Sequence, residues 1–327
     1  MTYCMKHCMT HWGNALLKAG ELRTFLAAGT AAGIAAVRGG TAPASRWVQF
    51  NLAPRPGARE DFYRELAVTV RELLADGRAV NFSYLHREPG IRVRFEAPDA
   101  DSAVTLSLCL RARFARSALL REAPVRVVYE PEHYLFGGPA SMPYVHRLFT
   151  ADSLGWLDHH LKAPGRQGEL TAWRHSLLTL REVFAGLGIV GWEHRGVWAA
   201  LREKTGRGAR RAPGGAAAAH GEAVSGRVAE GIAAFWRQPR EQSLTAFPAA
   251  CRATLARHAD TTRARAAKWR MGYFEAGEAT VGPCAAAAYY TVFHWNRGLL
   301  SPARQHTLTD VLAAEPTGEG DRDVALA

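Results

Sequence analysis

The chain has 327 residues, about two ordinary domains' worth, and 48% of them are hydrophobic, enough for a large core without disulfide or metal staples. Five scattered cysteines cannot all pair and no apolar run approaches the roughly 18 residues of a membrane span, which excludes a disulfide-framed secreted scaffold and a membrane-spanning helix and points to a reducing, cytoplasmic setting with no membrane partner expected. A formal charge of +11 favours anionic partners, although only five of the 41 basic residues are lysine and the Arg and Ala excess is also what a GC-rich coding sequence produces.

Residues 1–45 read as an N-terminal extension. Phe25 to Val37 followed by Ala42-Pro43-Ala44 has the outline of a signal peptide, but the region before it is too long and contains Glu21. Cys4, His7, Cys8 and His11 fit no zinc spacing and no second cluster follows, so no metal is expected. From Trp47 the pattern sharpens. Val48, Phe50 and Leu52 alternate with Trp47, Gln49 and Asn51 as a half-buried strand does. Phe62, Leu66, Val70, Leu73 and Leu74 form a helical stripe stopped by Asp76-Gly77. Ala79 to His86 and Ile91 to Phe95 make a hairpin around Pro89-Gly90. Asp101-Ser102 offers a helix cap for Leu106, Leu110 and Phe114, while the alternation of Val104, Leu106, Leu108 and Leu110 keeps a strand open. Val125 to Glu130 is a fourth strand. The order strand, helix, strand, strand, helix, strand predicts an α+β fold with a ferredoxin-like split β-α-β antiparallel sheet over 46–138.

A helical region follows over 139–314, with helices expected at Tyr144–Leu161, Glu169–Leu187, Gly191–Lys204, Ala223–Arg237, Glu241–His258, Thr261–Arg270 and Gly282–Arg297. A Gly/Arg/Ala-rich flexible loop is expected at about 205–221, and a disordered tail at 315–327.

The strand alternation places Arg92 and Arg94 on the face opposite Ile91, Val93 and Phe95, and puts Arg126 and Glu130 opposite Val125, Val127 and Tyr129. One sheet face is then polar and arginine-lined, either a solvated surface or a groove for carboxylate or phosphate. On the last of these helices Tyr290, His294 and Arg297 follow at spacings of 4 and 3 and share a face, which is either core or an acid–base group. Basic residues around Trp269 superficially suit nucleic acid but fit a solvated helix face better. There is no Walker loop, dinucleotide-binding glycine fingerprint or Gly-x-Ser-x-Gly elbow.

Five segments in order, Trp47-Val48-Gln49-Phe50-Asn51-Leu52, Ile91-Arg92-Val93-Arg94-Phe95, Tyr129-Glu130-Pro131-Glu132 through Gly137-Gly138, Leu148-Phe149-Thr150-Ala151-Asp152-Ser153 and His294-Trp295-Asn296-Arg297, resemble the lantibiotic-dehydratase C-terminal domains and their stand-alone thiopeptide relatives. In glutamate-eliminating members of that family the Tyr-Glu-Pro-Glu segment runs on to Arg-Tyr-Gly-Gly, whose arginine serves elimination, and a histidine stands four residues before the closing Asn. This chain has Leu135-Phe136 and Val292 at those places, while the Arg-x-Arg pair survives as Arg92 and Arg94. The resemblance therefore implies a pyridine synthase, which joins two dehydroalanines of a modified precursor peptide in a formal four-plus-two aza-cycloaddition and aromatises the ring by losing water and the leader peptide. It also implies no cofactor and no nucleic-acid partner. A glutamate-eliminating subunit of a split tRNA-dependent dehydratase is the alternative, and a catalytically silent peptide-binding subunit is a third class. Under the first reading Tyr290 and His294, with Tyr289 as substitute should the helix be rotated, are expected as proton donors or acceptors. Arg92, Arg94, Arg126, Glu130, Asn296 and Arg297 are expected to bind the precursor and its leader.

Overall fold

The computed structural model describes residues 45–207, Pro89 and Pro164 aside, and 226–314, Glu278 aside. The expected N-terminal extension, most of the expected loop and the expected tail lie outside the described residues. The sheet-forming half runs β1 (Trp47–Leu52), α1 (Arg59–Ala75), β2 (Asn81–Arg87), β3 (Gly90–Glu96), α2 (Ala100–Ala115) and β4 (Val125–Val127). All neighbouring strands are antiparallel in the order β2-β3-β1-β4, the split arrangement that the element order predicts.

The alternation at Val104–Leu110 resolves as helix. Asp99, two residues before the expected cap, accepts a hydrogen bond from the Ser102 backbone N–H at 2.7 Å. Leu106, Leu110 and Phe114 then turn inward at a spacing of four, while Val104 and Leu108 stay exposed. The fourth strand is shorter than expected. It leaves the ladder after Val127 because the chain crosses the sheet there: Gln49 Nε2 donates to the Val128 carbonyl, and Tyr129 packs on Trp47 with ring centroids 4.6 Å apart.

Cross-strand partners share a face, so the register decides what each face carries. Val48, Phe50, Leu52, Phe82, Tyr84, Val93 and Phe95 form the apolar side, covered by α1 through Tyr63 and by α2 through Phe114. The other side carries Gln49, Asn51, Arg92, Arg94 and Glu96. It is polar as expected, but it is closed rather than solvated: Gln49, Ser83, Arg94 and Glu96 are buried and bond across strands, Arg94 to Gln49 and Asn81 to Glu96.

The second half comprises α3 (Met142–Lys162), α4 (Gly165–Gly186), α5 (His194–Thr205), α6 (Gly226–Arg237), α7 (Arg240–Thr245), α8 (Ala249–Trp269), a π-helical turn (Arg270–Phe274), α9 (Pro283–Arg297) and α10 (Pro302–Ala314). The helix expected at Glu241–His258 is broken before Pro248, whose ring fixes φ and removes an N–H, so that α8 starts at Ala249 and runs on through the segment expected as a separate helix. Trp269, with no exposed surface, donates to Ser141 Oγ and offers no stacking face to a nucleic acid. One apolar core joins the helix-facing side of the sheet to α3, α4, α8 and α9. No helix among the described residues is long and apolar enough to cross a membrane.

Candidate active site

Helix α9 starts where Gly282-Pro283 suits an N-terminus and continues through four alanines into the aromatic run Tyr289 to Trp295. Its phase is now fixed. Tyr290, His294 and Arg297 have no exposed surface and point into the core, while Tyr289, Val292, Phe293 and Asn296, one stripe at spacings of 3, 1 and 3, remain half-buried. The shared face read from the spacing is real, and it is the inward one.

At its centre stands Asp152 on α3. His294 Nδ1 lies 2.6 Å from Asp152 Oδ1, and Arg297 Nη1 donates to Asp152 Oδ2 at 2.7 Å. Trp156 Nε1 also lies 3.0 Å from His294 Nδ1. A single ring nitrogen serves one such bond, and the shorter contact to the carboxylate takes precedence, so Nδ1–H donates to Asp152. On the far side of the ring Ser176 Oγ lies 3.1 Å from Nε2 and accepts from Trp295 Nε1 at 3.0 Å. Burial works to raise the Asp152 carboxyl, but His294 and Arg297 outweigh it and hold the group below the usual carboxylate range. The Tyr290 hydroxyl makes no hydrogen bond of ordinary geometry; burial, and then the Asp152 charge, push it well above the usual phenol value.

The order Asp152, His294, Ser176 matches the connectivity of an acid–histidine–serine triad, yet Ser176 and His294 are fully buried and Asp152 is 2% exposed. A peptide cannot touch them in this arrangement. Their effect is to bind α9 to α3 and α4. Neither Asp152 nor Ser176 is among the residues expected from sequence. Asp152 carried a readable signal, a lone acid inside the apolar run Leu148 to Leu157, whereas Ser176 carried none.

A second cluster lies on the polar sheet face. Arg94, 2% exposed, donates through Nε to Gln49 Oε1 at 2.7 Å, stacks its guanidinium 4.8 Å from the Tyr129 ring centre and lies 3.6 Å from Glu132. Its Nη1 is buried without a partner. Burial pushes the Arg94 guanidinium down from its usual value, with Glu132 and Tyr129 opposing. The Tyr129 hydroxyl lies 2.7 Å from His146 Nε2, and His146 is held down to about 4 by burial and then by the Arg94 charge. Arg92, half-buried, donates to Asn51 Oδ1 at 3.2 Å.

The other expected binding residues go elsewhere. Arg126 pairs with Phe50 across β4 and β1, which sets it on the face opposite Arg92 and Arg94; Val125 and Val127 take the polar side instead. Glu130 is exposed beyond the end of β4. Asn296 uses its side-chain amide on β2: Oδ1 accepts from the His86 N–H at 2.7 Å and Nδ2 donates to the His86 carbonyl at 2.9 Å. Arg297 Nε donates to the Tyr84 carbonyl at 3.1 Å, and Thr150 Oγ1 accepts from the Phe82 N–H at 3.0 Å. The closing Asn-Arg element thus helps seal the free edge of the sheet, satisfying backbone groups that a buried strand edge would otherwise leave unpaired. Leu135 and Val292, the two positions that depart from the eliminating pattern, are half-buried against the aromatic core. Phe293, next to Val292, packs 5.7 Å from Phe136, next to Leu135.

The same architecture occurs in solved structures. MibB, the tRNA dependent lantibiotic dehydratase from Microbispora sp. 107891, superposes with a TM-score of 0.60 at 16% identity over 88% of this chain and 29% of MibB, so this chain spans under a third of that protein's length. TsrL superposes with a TM-score of 0.51 at 16% identity over 85% of this chain and 96% of TsrL. No curated protein matches by sequence. The profile of the family described as lantibiotic biosynthesis dehydratase C-term matches residues 47–314, from the first strand to the last helix, and the chain belongs to that family.

Proposed function

We propose that the chain is a pyridine synthase of thiopeptide assembly, which closes a macrocycle by joining two dehydroalanines of a modified precursor peptide, with loss of water and of the leader peptide. The observation that carries this reading is the pair Leu135 and Val292: eliminating members use an arginine and a histidine there, and this chain presents half-buried apolar side chains packed on the core. On this reading the exchange removes the proton carriers of elimination and puts apolar side chains where two alkenes would be held in contact geometry. The cycloaddition needs one backbone amide in its iminol form, which calls for a hydrogen-bonding acid and not a nucleophile. Tyr289, half-buried on the same stripe as Val292, is the phenol assigned to supply it in this reading. Tyr290, His294 and Arg94 then act as positioning residues, Arg94 by holding Gln49 and Glu132 beside Tyr129.

The test is mass spectrometry of a dehydrated, thiazole-containing precursor incubated with the protein. Loss of water together with release of an intact leader carboxamide is the expected result. Loss of glutamate from a glutamylated precursor would replace this reading with the eliminating one.

A further inference from the structure

Where the hairpin of β2 and β3 meets the start of α1, the surface holds a concave pocket of about 650 Å³, within the size range of ligand sites. Four arginines line it, Arg55, Arg59, Arg87 and Arg121, against one acid, Glu88. Two of the four are set by backbone pairing. The Arg55 N–H donates to the Leu119 carbonyl and the Arg121 N–H to the Ala53 carbonyl, each at 2.8 Å, on either side of a bridge between Pro54 and Leu120. In that register Arg55 and Arg121 share one face and the Pro54–Leu120 pair the other. Arg121 pairs with Glu122, and Arg55 spends one N–H on the Leu120 carbonyl. Arg59 and Arg87 have no hydrogen-bond or ion-pair partner among the described residues, and Glu88 pairs with none of the four.

Arg59 is the first residue of α1, where the helix dipole disfavours a cation, and the helix has no side-chain cap. Like charges converging on a concavity repel one another unless an anion joins them. The remaining wall is His86, two glycines and the apolar Pro54, Pro56, Ile91 and Leu299. Leu299, in the lining, holds a left-handed backbone with φ of 53°, a conformation that costs a leucine free energy.

We infer that this pocket docks an acidic segment of a peptide chain, its carboxylates on Arg55, Arg59, Arg87 and Arg121 and its apolar side chains on the Pro54–Leu299 wall. A guanidinium fork matches a carboxylate with two parallel bonds. Nucleic acid fits less well: among the described residues the one aromatic ring lining the pocket, His86, is tied by Nδ1 to the Asn296 carbonyl and by Nε2 to the Tyr63 hydroxyl, and the positive charge is confined to one hollow. The identification of that segment with the leader of the precursor rests on the function proposed above. Relative to the sequence expectation, leader binding moves from Arg92, Arg94 and Arg126 to this hollow.

The probe is a fluorescein-labelled decapeptide of alternating Asp/Glu and Leu, titrated against the full chain by anisotropy. Arg59→Gln with Arg87→Gln removes two arginines that hold nothing else, so the melting curve of the double variant should match that of the parent. Its affinity should fall by about tenfold. The binding of both should weaken as salt rises from low to about 1 M, where screening shortens to about 3 Å. Arg174→Gln, in a separate groove lined by Trp173, Phe235 and Leu308, should bind as the parent does. Equal binding by the double variant, equal binding of an Asn/Gln decapeptide, or displacement of the peptide by an RNA oligomer at lower concentration would each overturn the assignment. If the precursor is cyclised while the double variant still binds the decapeptide normally, the pocket fails alone. If the pocket binds as expected and no pyridine forms, the proposed reaction fails alone.

Discussion

Asp152 answers for two neighbours at once, one carboxylate oxygen on His294 and the other on Arg297, and all three side chains are out of reach of water. Removing a single member of such a group leaves the others charged or polar and unpaired. Asp152→Ala should therefore cost on the order of 3 to 5 kcal/mol, read as a large fall in midpoint by urea denaturation. A variant that denatures like the parent would show that the network does not hold α9. The two adjacent tyrosines separate chemistry from packing. Tyr289→Phe should slow pyridine formation by about a hundredfold to ten-thousandfold, the usual contribution of a positioned acid, and Tyr290→Phe should change it little. Equal loss in both variants would return the catalytic role to the buried face. The spacing in the sequence grouped Tyr290, His294 and Arg297 correctly, because 3.6 residues per turn fixes which side chains travel together. It gave no direction to that face, since the aromatic stripe on the other side is as apolar as the first.

The sealed edge of β2 belongs to the scale of elements. Asn296 reproduces with one side chain the two backbone bonds that a further strand would make to His86. Asn296→Ala should cost about 1 to 3 kcal/mol for the groups left unpaired, and hydrogen exchange at the His86 amide should quicken while the Val93 amide, inside the sheet, follows global stability. Unchanged exchange at His86 would remove the clamp. The turn after α9 has a different constraint. Gly298 lies so close to Trp156 that an added Cβ would fall 2.3 Å from the ring, whereas Leu299 takes the left-handed position where glycine is usual. Leu299→Gly should therefore raise stability by up to about 1 kcal/mol, and thermal melts decide it. Most strand and helix identities were readable from a clean period of two or of three to four, but α2 was not, because Val104, Leu106, Leu108 and Leu110 alternate within a helix. The break at Pro248 was readable too, from a proline inside a helical pattern, and a helix drawn across it was the error. Helix α10 had a cue, Ser301 before Pro302 at its start, that the reading by periodicity did not use.

At the scale of the whole molecule, acid should unfold this protein through its histidines. Burial, followed by the charge of Arg59, holds His86 down to about 4; burial also lowers His160 to about 3 and, with Arg94 next, His146 to about 4. In the unfolded chain each titrates near 6.5, so between about 4 and 6.5 the unfolded state binds more protons than the folded one. Stability is then full above pH 6.5 and falls as the pH drops through that window, by about 1.4 kcal/mol per pH unit for each such histidine. Melting temperatures should hold between pH 7.5 and about 6.5 and then decline down to pH 5, and a profile flat throughout would contradict the burial of these rings. The sequence by itself determined the α+β class and the order of the sheet elements, because strand period, turn chemistry and helical stripes are local properties, and the resemblance of five segments in order carried the family. Only the tertiary structure decided that Arg126 faces away from Arg94, that Asn296 and Arg297 serve a strand edge, and that Asp152 gathers His294 and Arg297. The physical reason is register: in an edge strand of three residues a shift of one exchanges the faces, and a buried ion pair between α3 and α9 joins residues whose separation along the chain leaves no periodic trace.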